Sequence, residues 1–357
     1  MPSRSVTRRL VAASVSVLLS LFLVACGSES EDAPQADDAS SGFPISVEHK
    51  FGVTEIPSAP KRVVTVGYND QDAVLALGVK PVASVSWFEE KVVYPWSQQA
   101  ADAAGGDDIE LITAEELESG GPEAIAAYKP DLIVAIFSFL TEDDYKEYSK
   151  IAPTIVGLKQ FPNDGTPWQE QTKLVGQALG KSDEADRIVA DAEDAIAAIA
   201  ERNPEFKGKS AFAGSGLADG QVGLYPTGRA GSTYEGGAYG PGYLLPALGF
   251  EIPAEFDKLS DKVTAPLLSY ELINKLDTDV GLWTFPREEE TAVELNKIPT
   301  YKELNLVKEG RDVFTDQAVG VALNFSTLLS LPWAAAQLEP QLVAALDGDP
   351  STSSDLQ

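Results

Sequence analysis

The chain has 357 residues, 44% of them hydrophobic, and carries 55 Asp and Glu against 27 Lys and Arg, a formal net charge of -28. That charge repels nucleic acid and anionic membrane surfaces, while the length admits two domains of ordinary size. One His and one Cys leave the chain short of ligands for a zinc or manganese centre and of partners for Ser-His-Asp or Cys-His catalysis.

Arg4, Arg8 and Arg9 form a positive leader, and an apolar or small run over 10–25 leads into "LVAC" ending at Cys26. The run is short for a membrane span and lies at the very start, so 1–25 is assigned as a signal peptide. "LVAC" resembles the lipobox of bacterial lipoproteins. Cys26 is then the expected site of lipid attachment, a palmitate-type anchor, and no cysteine remains for an internal disulfide. Arg8-Arg9 leaves both the general and the twin-arginine export routes open. Removal of the three leader arginines takes the formal charge from -28 to -31. Residues 26–42 are rich in Ser, Asp and Glu, and past Cys26 they hold no aromatic or branched aliphatic residue, so they are expected to be a disordered tether.

The body begins at 43. His49, beside Lys50, reads as a surface residue. A β-branched run predicts a strand over 62–66, helical spacing of Ala73, Val74 and Leu77 predicts a helix over 70–77, and Gly78 ends it before a strand in "PVASV". The pattern recurs: helix 122–128, strand 131–137, helix 142–151, strand 154–158. From 168 to 201 the chain reads as helical. Ser182 is the expected N-cap of a helix whose stripe is Ala185, Ile188, Val189, Ala192, Ile196 and Ile199, and Asn203-Pro204 stops it. About 20 residues at 1.5 Å each make a rod of roughly 30 Å. Alternation resumes with strand 210–213, helix 241–248 and strands 279–285 and 312–315. A closing helical segment over 325–347 is expected to break at Pro332 and Pro340. The predicted fold is α/β: two Rossmann-like lobes with mostly parallel sheets, 43–165 and 206–347, joined by a helical linker over 166–205, with a tail over 348–357.

"GSG" at 214–216 and the glycine-rich stretch 228–242 lack the P-loop lysine and the dinucleotide spacing. Acids are so abundant that no carboxylate pair stands out, which leaves a carboxylate-pair hydrolase open. One passage is written twice. "EAIAAYKPDLIVA" starts at Glu123 and "ELINKLDTDVGLW" starts at Glu271, 148 residues later; each places an Asp, Asp131 or Asp279, eight residues after its Glu.

These segments, with "PKRVVTVGYNDQDAVLALGVKPVA", "KLVGQALGKSDEADRIV" and "LLSYELINKLDTDVGLW", closely resemble the periplasmic binding protein family that delivers ferric siderophores, haem or cobalamin to ABC importers. The likeness covers about 43–347. It implies the class III architecture, with one long helix between lobes, the ligand in the inter-lobe cleft and little hinge motion. It implies a monomer that needs no cofactor, held on the extracytoplasmic face of the membrane through its lipid. Metal-ion carriers of the family use several histidines, so a chelated-iron cargo is implied here, with haem, cobalamin or a non-transport envelope role as alternatives. The resemblance also assigns Glu123 and Glu271 to docking against arginines of the permease dimer. Asp131 and Asp279 are expected only to shape the turn into each strand.

Ligands of open α/β sheets bind beyond the carboxyl ends of the strands. The loops there hold Tyr68, Trp87, Phe88, Trp96, Phe137, Phe139, Tyr225, Arg229, Trp283, Phe285, Arg287, Asn324 and Phe325. Of these, Tyr68, Trp87, Phe137, Tyr225, Arg229, Trp283, Arg287 and Asn324 are taken as the ligand-binding set. Aromatics suit a bulky, partly apolar chelate. Arg229 and Arg287 could neutralise the siderophore oxygens around iron, and Tyr68 or Tyr225 could ligate a haem. The acidic surface suits a neutral or cationic hydroxamate chelate better than an anionic catecholate.

Overall fold

A strand that is buried on both faces reads as a continuous apolar run, and "LIVA" over 132–135 in the first lobe is of this kind. The computed structural model describes residues 42–86, 92–106, 108–161, 165–225, 227, 240–259, 266–284 and 288–352. A hairpin of β1 (Ile45–His49) and β2 (Gly52–Ile56) opens the described chain. Then come β3 (Val63–Thr65), α1 (Asp70–Ala76), β4 (Ala83–Ser86), α2 (Pro95–Ala104), β5 (Glu110–Thr113), α3 (Ala114–Gly120), α4 (Pro122–Ala126), β6 (Leu132–Ala135), α5 (Glu142–Tyr148) and β7 (Thr154–Val156). The sheet runs β5-β4-β3-β6-β7, every pair parallel. Alternate residues face opposite sides. Val63, Leu132, Val134 and Ile155 join the core shared with α1 and the following helices. Val64, Ile133, Ala135 and Val156 build a separate core with Leu117, Ile125 and Tyr148 of α3, α4 and α5.

Two helices follow, α6 (Trp168–Ala178) and α7 (Ser182–Arg202). They pack so closely that a Cβ on Gly176 would lie 2.3 Å from that of Ala185. The expected stripe of α7 is buried at Ala185, Val189, Ala192, Ile196 and Ile199, with Ile188 at its half-buried rim. Ser182 is not the cap. Lys181 holds that position without a side-chain bond, because the turn at Gly180 (φ 69°) brings Ser182 in as the first helical residue.

The second lobe comprises β8 (Ala211–Ala218), β9 (Gln221–Leu224), α8 (Pro241–Ala247), α9 (Ala254–Asp257), β10 (Leu267–Ser269), a 3₁₀ turn Tyr270–Leu276, β11 (Val280–Trp283), α10 (Glu288–Leu295), α11 (Pro299–Lys302), α12 (Asn305–Lys308), β12 (Asp312–Phe314), α13 (Gln317–Asn324) and α14 (Ser330–Leu346). Its sheet, β10-β9-β8-β11-β12, repeats the first lobe's order, but β9 is antiparallel to both neighbours. β8 and β9 are joined by Asp219-Gly220, both at positive φ (51° and 76°), the backbone that a two-residue hairpin turn demands. α14 does not break at either proline. Pro332 falls in the first turn, where an N–H has no helical partner to lose, while Pro340 lies inside a helix held by packing against α7, β11 and α13. Residues of β3, β6, α6, α7, β8, β11 and α14 share one apolar cluster, so the core runs unbroken from lobe to lobe. Among the described residues no helix is long and apolar enough to cross a membrane.

Candidate functional site

The site grows from the stretch "VGYNDQD" after β3. Asp70 opens α1 and is fully buried. Its carboxylate accepts the backbone N–H of Gly67 (3.0 Å), Ile136 (2.8 Å) and Phe137 (3.2 Å), and the amide of Gln171 (2.9 Å). Gly67 is required at its place, since a Cβ there would lie 2.3 Å from Asp70 Oδ2. One carboxylate thus ties the loop after β3 to the loop after β6. Tyr68 N–H donates to Phe137 C=O at 3.0 Å, and the two rings lie 5.6 Å apart.

The second lobe contributes through the turn after α13, a helix capped by Asp316, whose side chain accepts the Val319 N–H at 2.7 Å. Asn69 Nδ2 donates to the carbonyls of Phe325 (3.2 Å) and Ser326 (3.3 Å). That fixes Phe325 over Tyr68, the rings stacked at 5.4 Å and 6°. Phe139 closes the group, 6.0 Å from Tyr68 and 5.4 Å from Phe137. Four aromatic rings from two lobes therefore form one surface beyond the strand ends. A cavity of about 50 Å³ adjoins Tyr68, lined in part by Gln71, Ser84, Ser86, Tyr94 and Ser97. It has room for a water or two beside hydroxyl partners.

Beneath the rings a polar seam joins the lobes. Asp72, 1% exposed, accepts Trp96 Nε1–H (2.9 Å), Ser97 Oγ–H (2.5 Å), Gln71 Nε2–H (3.3 Å) and, from the other lobe, Thr327 Oγ1–H (2.7 Å). Burial pushes the Asp72 carboxyl above the usual carboxylate range, and the donors from Ser97, Thr327, Trp96 and Gln71 pull against that rise.

Of the predicted ligand set, Tyr68 and Phe137 lie in the aromatic group. Tyr225 and Asn324 lie behind it as a bonded pair. Tyr225 is 5% exposed and its hydroxyl donates to Asn324 Oδ1, with Thr284 Oγ1 at 3.1 Å. Burial pushes the Tyr225 phenol up to about 12, against the pull of the Thr284 and Asn324 bonds. Trp283 does not face the cleft. It is 2% exposed, edge-on to Phe212 and stacked with Phe314, with Nε1–H donating to Tyr301 Oη at 3.1 Å. It is the last residue of β11 and points into the lobe's core, where Gly214 leaves room for its ring. Trp96 is likewise internal, between Tyr94 and Trp333 at the seam. Trp87, Phe88, Arg229, Phe285 and Arg287 lie outside the described residues, as does Cys26. Asn69, Asp70, Asp72 and Thr327, which position the rings, carry no signal in sequence beyond polar residues beside a strand end.

Glu123 and Glu271 are both exposed, each in the first turn of its element, α4 or the 3₁₀ turn before β11. Asp131 accepts the backbone N–H of Lys61 (2.8 Å) and Arg62 (2.8 Å) at the entry to β3. Asp279 accepts Ser210 N–H (2.8 Å) and Oγ–H (2.8 Å) at the entry to β8. Each aspartate, expected to shape the turn into its own strand, instead bonds the entry of the neighbouring strand, β3 or β8. His49 is not at the surface. It is 3% exposed, with Nε2 2.9 Å from Thr54 Oγ1 and Nδ1 accepting Phe51 N–H at 3.3 Å. Packing of the β1–β2 hairpin against the first lobe buries it, and burial, with Lys50 beside it, lowers its pKa to about 4. Among the described residues no three His, Cys, Asp or Glu gather as metal ligands would.

A family model described as periplasmic binding protein matches residues 63–319. The probable siderophore-binding lipoprotein YfiY of Bacillus subtilis (strain 168) is 28% identical over 317 residues, 85% of this chain and 90% of that protein. A solved periplasmic solute binding protein from Mycobacterium smegmatis str. MC2 155 is 30% identical, with a TM-score of 0.69, over 85% of this chain and 98% of the other. PiaA from Streptococcus pneumoniae TIGR4 in complex with ferrichrome is 26% identical, with a TM-score of 0.68, over 85% and 99%.

Proposed function

The chain belongs to the periplasmic binding protein family, and from that membership we propose that it captures a ferric siderophore between its lobes and delivers it to the permease of an ABC importer. The observation that carries this reading is the surface of Tyr68, Phe137, Phe139 and Phe325, shared between lobes at the strand ends. An aromatic surface holds a bulky chelate by its apolar shell, and iron keeps its ligands from the siderophore. In this reading the chain makes and breaks no covalent bond. The relatives that point to iron chelates are YfiY, by its name, and PiaA, by its bound ferrichrome. We take 43–165 and 206–347 as the lobes and 166–205 as the linker. Cys26 carries the lipid that holds the chain on the extracytoplasmic face. Arg229, Arg287 and Trp87, outside the described residues, are kept as proposed ligand contacts.

A haem carrier needs a tyrosinate or imidazole ligand. The Tyr225 hydroxyl is already bonded and resists ionisation, and His49 is occupied in the hairpin. Both observations count against Tyr225 and His49 as haem ligands and leave Tyr68, on the aromatic surface, as the phenol a haem would use. The test is a tryptophan fluorescence titration with ferric hydroxamates, ferric catecholates, haem and cobalamin. Saturable quenching by one class at sub-micromolar concentration, about -8 kcal/mol or better, names the cargo; silence toward all four sinks the carrier reading.

Glu123 and Glu271 are the proposed docking acids, placed at equivalent points of two lobes with the same strand order. Exposed carboxylates there can meet arginines in bidentate pairs. Glu123→Ala with Glu271→Ala should abolish uptake by cells and leave chelate affinity within about twofold. Normal uptake by the double variant would remove the docking role.

A further inference from the structure

Phe139 combines two features that seldom coincide. It is 54% exposed, and its φ is 55°. A bulky L-residue enters that left-handed region only against a clash of its own Cβ with the backbone. Among the described residues, Lys129 (49°) and Asp219 (51°) are the other non-glycine residues at positive φ. Asp219 is there because a hairpin turn requires it. Lys129 closes the turn after α4, its N–H donating to Ala126 C=O at 3.0 Å. Both are polar residues at tight turns.

The chain is fixed on either side of Phe139. Upstream, Phe137 N–H is held by Asp70, and Ser138 Oγ–H donates to Ala135 C=O at 2.7 Å. Downstream, Thr141 and Asp144 make a reciprocal cap on α5: Thr141 Oγ1 accepts Asp144 N–H at 3.2 Å and Asp144 Oδ2 accepts Thr141 N–H at 3.0 Å. The neighbours impose the backbone, and glycine would satisfy it without strain. Nothing in the fold calls for a ring. Its aromatic neighbours, Tyr68 and Phe137, belong to the proposed ligand surface, and most of it faces solvent.

We infer that Phe139 is a specificity-determining contact, an aromatic edge held out on strained backbone to pack on the apolar arms of the chelate, outside its iron-oxygen shell. The inference rests on the carrier reading above. It predicts that ring and backbone separate by mutation. The purified protein is titrated with ferrichrome, or with the ferric chelate that the wild type binds best, as Phe139→Ala, Phe139→Gly and Phe139→Tyr variants. The Ala and Gly variants should both bind about tenfold more weakly, while the Tyr variant stays within about twofold because its ring face is kept. The Gly variant should melt roughly 2 °C above the Ala variant, since it alone releases the strain. Wild-type binding with unchanged affinity in Phe139→Ala overturns this inference alone. A melting temperature lower by more than about 8 °C in Phe139→Ala would mark a core ring and overturn it too. Silence of the wild type toward every chelate overturns both the carrier reading and this one.

Discussion

Neutral His49 is locked in place by the direction of its hydrogen bonds. Nδ1 accepts Phe51 N–H, so the proton sits on Nε2 and is donated to Thr54 Oγ1. Thr54 passes its own proton to Thr154 C=O at 2.7 Å and lies 3.1 Å from Tyr145 Oη. A second proton on Nδ1 would face the Phe51 N–H. Burial and Lys50 lower the pKa to about 4 from an unfolded value near 6.5. The folded state therefore refuses a proton that the unfolded chain accepts. This contribution is fully present above pH 6.5 and is lost as pH falls toward 4. Once discounted for solvent at the Lys50 rim, it amounts to about 2 kcal/mol between pH 7 and pH 4.5. Urea unfolding at the two pH values should show that fall, and His49→Gln should flatten the same interval. An equal slope in the variant would place the titration elsewhere. In sequence, one His beside a lysine gives no hint of this. The burying partners, Thr54, Tyr145 and Thr154, are separated from it by up to 105 residues, and only the docked hairpin brings them together.

At the scale of elements, β3, β6 and β7 and the helices α1, α4 and α5 were legible, the strands because each is largely an apolar run between turn residues, as in "LIVA" of β6. The β1–β2 hairpin, β5, β9 and β10 were not, being half-polar or only three to five residues long. The repeated passage was legible and carries two separable jobs. Its glutamates point to solvent, and its aspartates clamp the entries to β3 and β8. Burial raises the Asp279 carboxyl, yet the Ser210 bonds and Lys209 outweigh it and hold the group below the usual range. Asp131→Ala and Asp279→Ala should each lower stability by about 1–2 kcal/mol. Because the two sites lie in different lobes, the double variant should add. Chelate affinity should not move in either single variant. Urea midpoints with unchanged slope would verify the clamps, whereas loss of uptake without loss of stability would move the role of the passage from fold to docking. The site was only half legible. Loop position alone picked out Tyr68 and Phe137, whose rings lie together on the shared surface, but picked out Trp283 as well, because the side on which the last residue of a strand projects depends on register.

Across the whole molecule, the two lobes behave as one packed object. A single apolar cluster runs through α6, α7 and α14 into both sheets, and Arg202 at the end of α7 pairs with Glu339 of α14, with Asn203 Nδ2 donating to the same carboxylate at 2.7 Å. The seam at Asn69, Asp72 and Thr327 adds polar bonds where the lobes meet beneath the rings. Hydrogen bonds in so buried a place are directional, so they fix the angle between lobes in a way that apolar contact alone does not. Thr327 is the member that can be removed with least change of shape. Its hydroxyl donates to Asp72 and accepts the N–H of Ser330 at 2.9 Å and of Leu329 at 3.2 Å. Thr327→Val keeps the branched shape but strips Asp72 of its donor from the second lobe and leaves two N–H groups unpaired. A loss of about 2–3 kcal/mol is expected. The pattern of loss matters more than its size. Hydrogen exchange should quicken in α1 and at the start of α14 together, while the outer strands β7 and β12 keep their rates. Chelate affinity should fall as well, because the turn that carries Phe325 would lose its bond to Asp72 and be held to the first lobe's polar seam by Asn69. Faster exchange confined to α14, with affinity intact, would mean that the seam caps a helix and that apolar packing through α6 and α7 sets the cleft on its own.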